Sequence, residues 1–276
     1  MVKAKVIAAF ALLALVSCGQ KPAFEWHKYK IDAHRTGVGV PSADNVAQVL
    51  GSVENGVYTA PNGRQFQGGS TPEVAALLIG VQPEMARLKE VVAHAPREFK
   101  RSAPECELFN FIVDRLAVDV QQAVGRKVDF AFTNTGGIRV DLPSGEILLD
   151  EIVSMLPFKN YLTYVEIPGS EVRGIFEQMA STRPQCISGA RIVIKDGKLL
   201  SAEIGGKPID DKAWYGVATI DFLLDGGDGY KLARGARRMI ITKEKIGDAI
   251  LRDIRAIEAA GKPFEYFTDG RIIVEE

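Results

Sequence analysis

Histidine is scarce in this chain, three in 276 residues, and the scarcity limits the chemistry available to it. A two-metal hydrolytic centre needs clustered Asp, His and Asn ligands around metals about 3.5 to 4 Å apart, and His27, His34 and His94 stand in unrelated contexts. Asp32-Ala33-His34 imitates one ligand pair, but no Gly-Asn-His-Asp/Glu or Gly-His-x-His segment follows, so a polar loop histidine is the favoured reading. Cysteine is equally sparse: beyond Cys18 there are only Cys106 and Cys186, which permits one disulfide in an oxidising compartment without establishing it. The net charge is -1 with no basic block, which argues against nucleic acid and anionic lipid surfaces as partners. There is no Gly-x-Ser-x-Gly elbow, no Cys/His nucleophile arrangement, no internal repeat and no low-complexity tract. The apolar run Val6 to Val16 falls well short of the roughly twenty residues that span a bilayer.

That short run reads instead as an export signal. Lys3 and Lys5 precede it, and Leu15-Val16-Ser17-Cys18 closes it in the manner of a bacterial lipobox. Residues 1–17 are therefore expected to be a lipoprotein signal peptide and Cys18 the lipid-bearing mature N-terminus; the alternative is a plain secretory signal with an incidental cysteine. Gly19, where an aspartate would signal retention at the inner membrane, points to an outer-membrane anchor.

The remaining residues, with an apolar content of 46% over the whole chain, suffice for a substantial core. Residues 18–69 are rich in Gly, Pro, Asn and Ser, with Val57-Tyr58 and an Asn62-Gly63 turn, and read as a tether or extension holding short hairpins. At Ser70-Thr71-Pro72-Glu73 a capped helix begins, expected to run to about Val91, and residues 70–276 are expected to be one domain. Beyond it helices and strands alternate. A helix is expected over 105–124, a strand over Val128 to Phe132, a short helix near 149–155, a strand over 161–167 and a helix over 170–180. There follow a hairpin of Ala190 to Ile194 with Leu199 to Ile204, a strand Trp214 to Ile220, a helix over 243–260 and a final hairpin over 265–275. Such a mixture implies an α/β body.

Two Gly-rich turns leave strand C-terminal ends, where sites on α/β sheets tend to lie: Asn134-Thr135-Gly136-Gly137-Ile138-Arg139 and Asp221-Phe222-Leu223-Leu224-Asp225-Gly226-Gly227-Asp228-Gly229-Tyr230. Glycine lets backbone approach a ligand closely. With an arginine, phenylalanines and carboxylates beside them, the turns suit an anionic, aromatic, hydroxylated ligand such as a nucleotide. Each residue has a plainer alternative. Arg139 either clamps a phosphate or pairs with a carboxylate such as Asp141. Phe158, in the turn Pro157-Phe158-Lys159-Asn160, and Phe222 either stack on a base or belong to the core. Asp228 either binds ribose hydroxyls or tightens its turn. A calcium loop of Asp221, Asp225 and Asp228 misses the required spacing.

These motifs in this order, Asn-x-Gly-Gly-Ile-Arg, then Leu-Pro-Phe, then Phe-x-x-x-Gly-Gly-Asp-Gly, resemble the C-terminal, substrate-recognising domain of the 5′-nucleotidases over roughly residues 88–276. The resemblance implies a layered α/β/β/α sandwich. It implies that Phe158 and Phe222 sandwich the base, that Gly227-Asp228 holds the ribose, and that Asn134 and Arg139, bracketing Gly136 and Gly137, contact base or sugar and ribose or phosphate. Two departures accompany it. Pro104 stands where the family carries an arginine before Glu105, and Phe109 replaces a glycine before Asn110, leaving Arg101 as a substitute cation. The family's metallophosphatase domain and its two divalent metals have no counterpart in the sequence. The expectation is thus a nucleotide-recognition half of a split, exported 5′-nucleotidase, with no catalytic or metal-binding residue of its own, serving a separate metallophosphatase that carries the metals. The alternatives are a lipoprotein that captures nucleosides or nucleotides, and a hydrolase with unrecognised catalytic groups.

Overall fold

The computed structural model describes residues 45–275. The expected signal segment, Cys18, His27 and the Asp32/His34 pair lie outside the described residues.

The chain divides after Ile79 into two compact units. In the first, strands β1 (Ser52–Glu54), β2 (Val57–Thr59) and β3 (Gln65–Gln67) form an antiparallel meander. Asn55 and Gly56 both take positive φ, 48° and 75°, which matches the right-handed twist of the flanking strands. At the second turn the Arg64 amide donates to the Asn62 side chain at 3.0 Å. A short helix α1 (Val46–Leu50) precedes the meander and α2 (Thr71–Gly80) follows it. The apolar stripe read on α2 does not enter a core, since Val74, Leu77 and Leu78 all remain exposed. Nor does this helix continue to Val91 as expected. It stops at Gly80, Pro83 sits in the first turn of a separate α3 (Gln82–Met85), a 3₁₀ turn spans Ala86–Lys89, and Val91 opens a strand. Glycine's backbone freedom and proline's missing N–H favour a break here.

The second unit is built on two sheets. The larger has the order β13 (Arg238–Lys245), β7 (Tyr161–Pro168), β12 (Trp214–Ile220), β5 (Phe130–Thr133), β8 (Cys186–Ser188), antiparallel except where β12 and β5 run together. The smaller has the order β11 (Lys207–Pro208), β10 (Lys198–Ile204), β9 (Ala190–Lys195), β14 (Ile272–Glu275). A further pair joins β4 (Val91–Ala95) to β6 (Gly145–Leu148). The central strands are apolar because both faces are covered. Helix α4 (Glu107–Val124) buries Leu108, Phe111, Ile112, Leu116 and Val120 and ends on Gly125 in the left-handed region. It packs on the larger sheet beside α7 (Ile246–Ala259), while α6 (Gly169–Ser181) touches both sheets, its Phe176 ring 5.4 Å from that of Phe130. A short α5 (Leu149–Met155) completes the helices. The mixed, layered α/β sandwich implied by the sequence is therefore what forms. The two remaining thiols, Cys106 and Cys186, are buried and free.

The end of the chain departs from expectation. Residues 265–275 make no hairpin; only Ile272–Glu275 is a strand, and it pairs in parallel with β9. Arg271 explains the difference. It is buried, grips Asp114 on α4 and Asp269, and donates to the Ile187 carbonyl at 2.9 Å, which fastens the preceding segment to the core. Strands β4, β6 and β13 were not legible in the sequence at all.

Candidate binding site

Strand register collects the predicted residues at one edge of the larger sheet. Ile220, the last residue of β12, pairs with Leu162 near the start of antiparallel β7, and parallel β5 ends at Thr133 alongside them. Three turns therefore leave the sheet together: 134–139 after β5, 156–160 before β7, and 221–229 after β12. Two bonds donated by backbone amides fasten them, from Tyr161 to the Asp221 carboxylate at 2.9 Å and from Ile246 to the Asn160 carbonyl at 3.0 Å. Asp221 is thus used in holding its turn.

The two Gly-rich turns touch. The Asn134 amide nitrogen donates to Asp228 Oδ2 at 2.8 Å, while the buried Asn134 Oδ1 accepts no hydrogen bond. A buried acceptor left without a donor costs free energy, on the order of 1 to 3 kcal/mol. The two glycines differ in how strictly they are needed. A Cβ on Gly137 would stand 3.0 Å from Asn134 Oδ1, and one on Gly227 would collide with the Phe222 carbonyl. Asp228 itself sits at φ 47°, a left-handed conformation that Asp and Asn tolerate better than most residues, and its carbonyl accepts from Gln178 at 3.2 Å. Its carboxylate remains exposed.

Phe158 and Phe222 are 49% and 45% exposed. Among the described residues neither ring stacks on another aromatic ring. Keeping such a side chain half in water forgoes on the order of 1 kcal/mol of burial, an arrangement that suits stacking surfaces better than core residues. Arg139 is exposed, its guanidinium resting on the Gly136 carbonyl at 3.2 Å, and its backbone amide is tied to Met155. Asp141, the alternative partner considered for Arg139, instead takes Arg101 at 2.9 Å, and Arg101 also donates to the Ile138 carbonyl at 3.1 Å. Arg101 thus abuts the first Gly-rich turn. Glu105 and Asn110 serve structure: the Asn110 amide donates to Glu105 at 2.7 Å and to the Phe267 carbonyl at 3.1 Å.

Three supporting residues escaped the sequence reading. Gln185, buried beside β8, accepts from the Thr135 amide at 2.8 Å and so positions the first turn. Gln178 on α6 holds the second turn through the Asp228 carbonyl. Tyr230 packs its ring 5.2 Å from Phe132, and burial, with the Asp228 charge adding, pushes its phenol up to about 12. Gln178 and Gln185 lie in no recognisable motif, and only their place near helix or strand ends marks them; Tyr230 closes the second Gly-rich stretch, where nothing local signals its burial. Among the described residues, no group of three or more His, Cys, Asp or Glu side chains is arranged to hold a metal ion.

Comparison with known proteins identifies the domain. The family model described as 5′-nucleotidase, C-terminal domain, matches residues 85–234, more than half of the chain. Protein UshA of Escherichia coli is 35% identical over 107 residues, covering 37% of this chain and 20% of that protein. The 5′-nucleotidase of Vibrio cholerae is 34% identical over 110 residues, covering 38% and 20% respectively. This chain therefore spans about a fifth of the length of these relatives. Among solved structures, the 5′-nucleotidase precursor of Thermus thermophilus superposes with a TM-score of 0.64 at 24% identity, over 79% of this chain and 45% of that one. At that identity the likeness speaks for the fold.

Proposed function

The chain belongs to the 5′-nucleotidase C-terminal domain family, a substrate-binding domain, and from that premise we propose that it is the nucleotide-recognition half of a split, exported 5′-nucleotidase. The observation that carries this reading is the joining of the two Gly-rich turns through Asn134 and Asp228, with Phe158 and Phe222 half-exposed on turns at the same sheet edge. In this reading the base lies between the two phenylalanine rings, whose faces accept any base. The ribose hydroxyls donate to the Asp228 carboxylate, and the unfilled Asn134 Oδ1 takes a donor from base or sugar. Arg139 draws the 5′-phosphate to the open side, where its planar fork matches phosphate oxygens.

Hydrolysis belongs, in this proposal, to a separate exported metallophosphatase whose divalent metal pair activates water. This chain's part is to hold and orient the nucleoside 5′-phosphate. Attachment through Cys18, and an outer-membrane location, are part of the same proposal and rest on the lipobox-like sequence alone. Two stacking faces at about 1 to 3 kcal/mol each, less the cost of ordering the ligand, give millimolar to tens-of-micromolar affinity for the isolated chain.

The test is phosphate release from AMP in manganese, by the purified chain alone and after mixing with an exported metallophosphatase from the same genome. The expected result is no release by the chain alone and faster release by the phosphatase when the chain is added. Metal-dependent release by this chain alone overturns the division of labour. Nanomolar nucleoside binding with no effect on any phosphatase favours a capture lipoprotein instead.

A further inference from the structure

Arg183 reaches the same site from a different direction. It lies just beyond the C-terminal end of α6, two residues before Gln185, which is bonded to the Thr135 amide, and three before β8, which pairs with β5. That path carries the 183–185 segment along the Gly136-Gly137 turn. A Cβ built on Gly136 would stand 3.7 Å from an Arg183 guanidinium nitrogen, 3.7 Å from the Asn134 amide nitrogen and 3.9 Å from Asp228 Oδ2. A cation, an amide and a carboxylate thus converge on the face that Gly136 leaves bare. Arg183 is exposed, and among the described residues no hydrogen bond or ion pair holds its guanidinium. Its charge is nevertheless felt by the Tyr230 phenol and the Cys186 thiol, which it lowers slightly against burial.

Arg101, the other cation that abuts the first Gly-rich turn through its carbonyls, is already engaged with Asp141 and the Ile138 carbonyl, whereas Arg183 is not. We propose that Arg183 is a specificity residue of this site, contacting a phosphate monoester carried on the ribose and so selecting nucleotide over nucleoside. The inference rests on the nucleotide-binding reading of the Asn134–Asp228 pair and assigns this chain a phosphate contact from the segment between α6 and β8. A 5′- and a 3′-phosphate offer the same monoester chemistry, and titration with the two isomers separates them. Arginine suits the role because its fork pairs two phosphate oxygens at once, which lysine does not.

The experiment is calorimetric titration of the purified chain, wild type, Arg183→Ala and Arg183→Lys, with adenosine, 5′-AMP and 3′-AMP at low salt. Loss of a charge-assisted hydrogen bond predicts roughly tenfold weaker binding of the contacted AMP isomer by Arg183→Ala, with Arg183→Lys intermediate and adenosine changed less than about twofold. The isomer that weakens identifies the phosphate position. If both isomers keep their affinity, or adenosine weakens as much as AMP, Arg183 is not a phosphate contact. Because the side chain is exposed and carries no internal bond, the melting temperature of both variants is expected to match the wild type. A wild type that binds neither adenosine nor AMP removes the nucleotide reading itself and this inference with it, whereas wild-type binding that ignores Arg183 removes only the inference.

Discussion

Two parts of the second unit use polar groups in opposite ways. At the chain's end Arg271, only 8% exposed, is saturated: it meets Asp114 at 2.7 and 3.1 Å, Asp269 at 2.8 Å through two atoms, and the Ile187 carbonyl at 2.9 Å. Although burial opposes its charge, the bonds to Asp269 and Asp114 hold it above the ordinary arginine range, and Asp269 is in turn held low by Arg271. At the sheet edge the pattern inverts. Asn134 keeps one acceptor empty, Asp228 leaves its carboxylate exposed, Arg183 is unpaired and two phenylalanines stand half in water. Buried polar groups that serve folding are expected to be satisfied; a cluster of unsatisfied groups on well-held turns is what a preformed binding site requires.

The comparison breaks most sharply at Arg271. Arg271→Ala strands the partly buried Asp114, leaves the more exposed Asp269 without its partner and empties a buried site, and urea denaturation should register a loss of about 3 kcal/mol. That is a large fraction of the roughly 5 to 15 kcal/mol available to a domain. AMP affinity of the protein that remains folded should stay within about twofold, and a loss of stability below about 1 kcal/mol would place this cluster with the loosely held groups. Gly227→Ala tests the opposite region. The new Cβ meets the Phe222 carbonyl, so the turn must shift, costing about 1 to 2 kcal/mol of stability while AMP binding falls at least roughly tenfold. Unchanged binding would mean that the position of Phe222 is irrelevant.

A smaller effect lies between α4 and α7. Asp119 is almost fully buried against Asp253, with Arg252 at 2.9 Å and Arg115 at 3.6 Å. Burial raises its carboxyl to about 6, the Asp253 charge adds, and Arg252 and Arg115 pull it back. A folded-state value raised above the unfolded one means that the protonated acid favours the fold. The contribution is therefore full below about pH 4 and lost as pH rises through about 6. The stability of the wild type minus that of Asp119→Asn should fall by on the order of 1 to 2 kcal/mol across that window, measured by urea melts at several pH values; a rise would reverse the assignment.

Much of the candidate site could be nominated from the sequence because its residues announce themselves by backbone need. Gly136-Gly137 and Gly226-Gly227 mark turns, and Phe158 and Phe222 stand beside turns where core phenylalanines are uncommon. The strands flanking them, Tyr161–Pro168 and Trp214–Ile220, are long and apolar because both faces are covered. What escaped has little local signal. Arg238–Lys245 is an edge strand whose charges and exposed Met239 and Ile241 obscure its period. Val91–Ala95 and Gly145–Leu148 are short and find each other only through tertiary pairing. Gln178, Gln185 and Arg183 act through neighbours distant in sequence, so no spacing could nominate them. The expected terminal hairpin failed because Arg271 is spent on Asp114 and Asp269 and leaves only Ile272–Glu275 to pair.

The most direct measurement is calorimetric titration of AMP into the wild-type chain, Phe158→Ala and Phe222→Ala, with the melting temperature of each. The account predicts wild-type affinity between millimolar and tens of micromolar, a loss of about 1 to 3 kcal/mol of binding for each substitution, and melting temperatures that barely move, since both rings are half exposed. Unchanged AMP affinity in both variants, or a collapse of stability that shows the rings to be core, would contradict it.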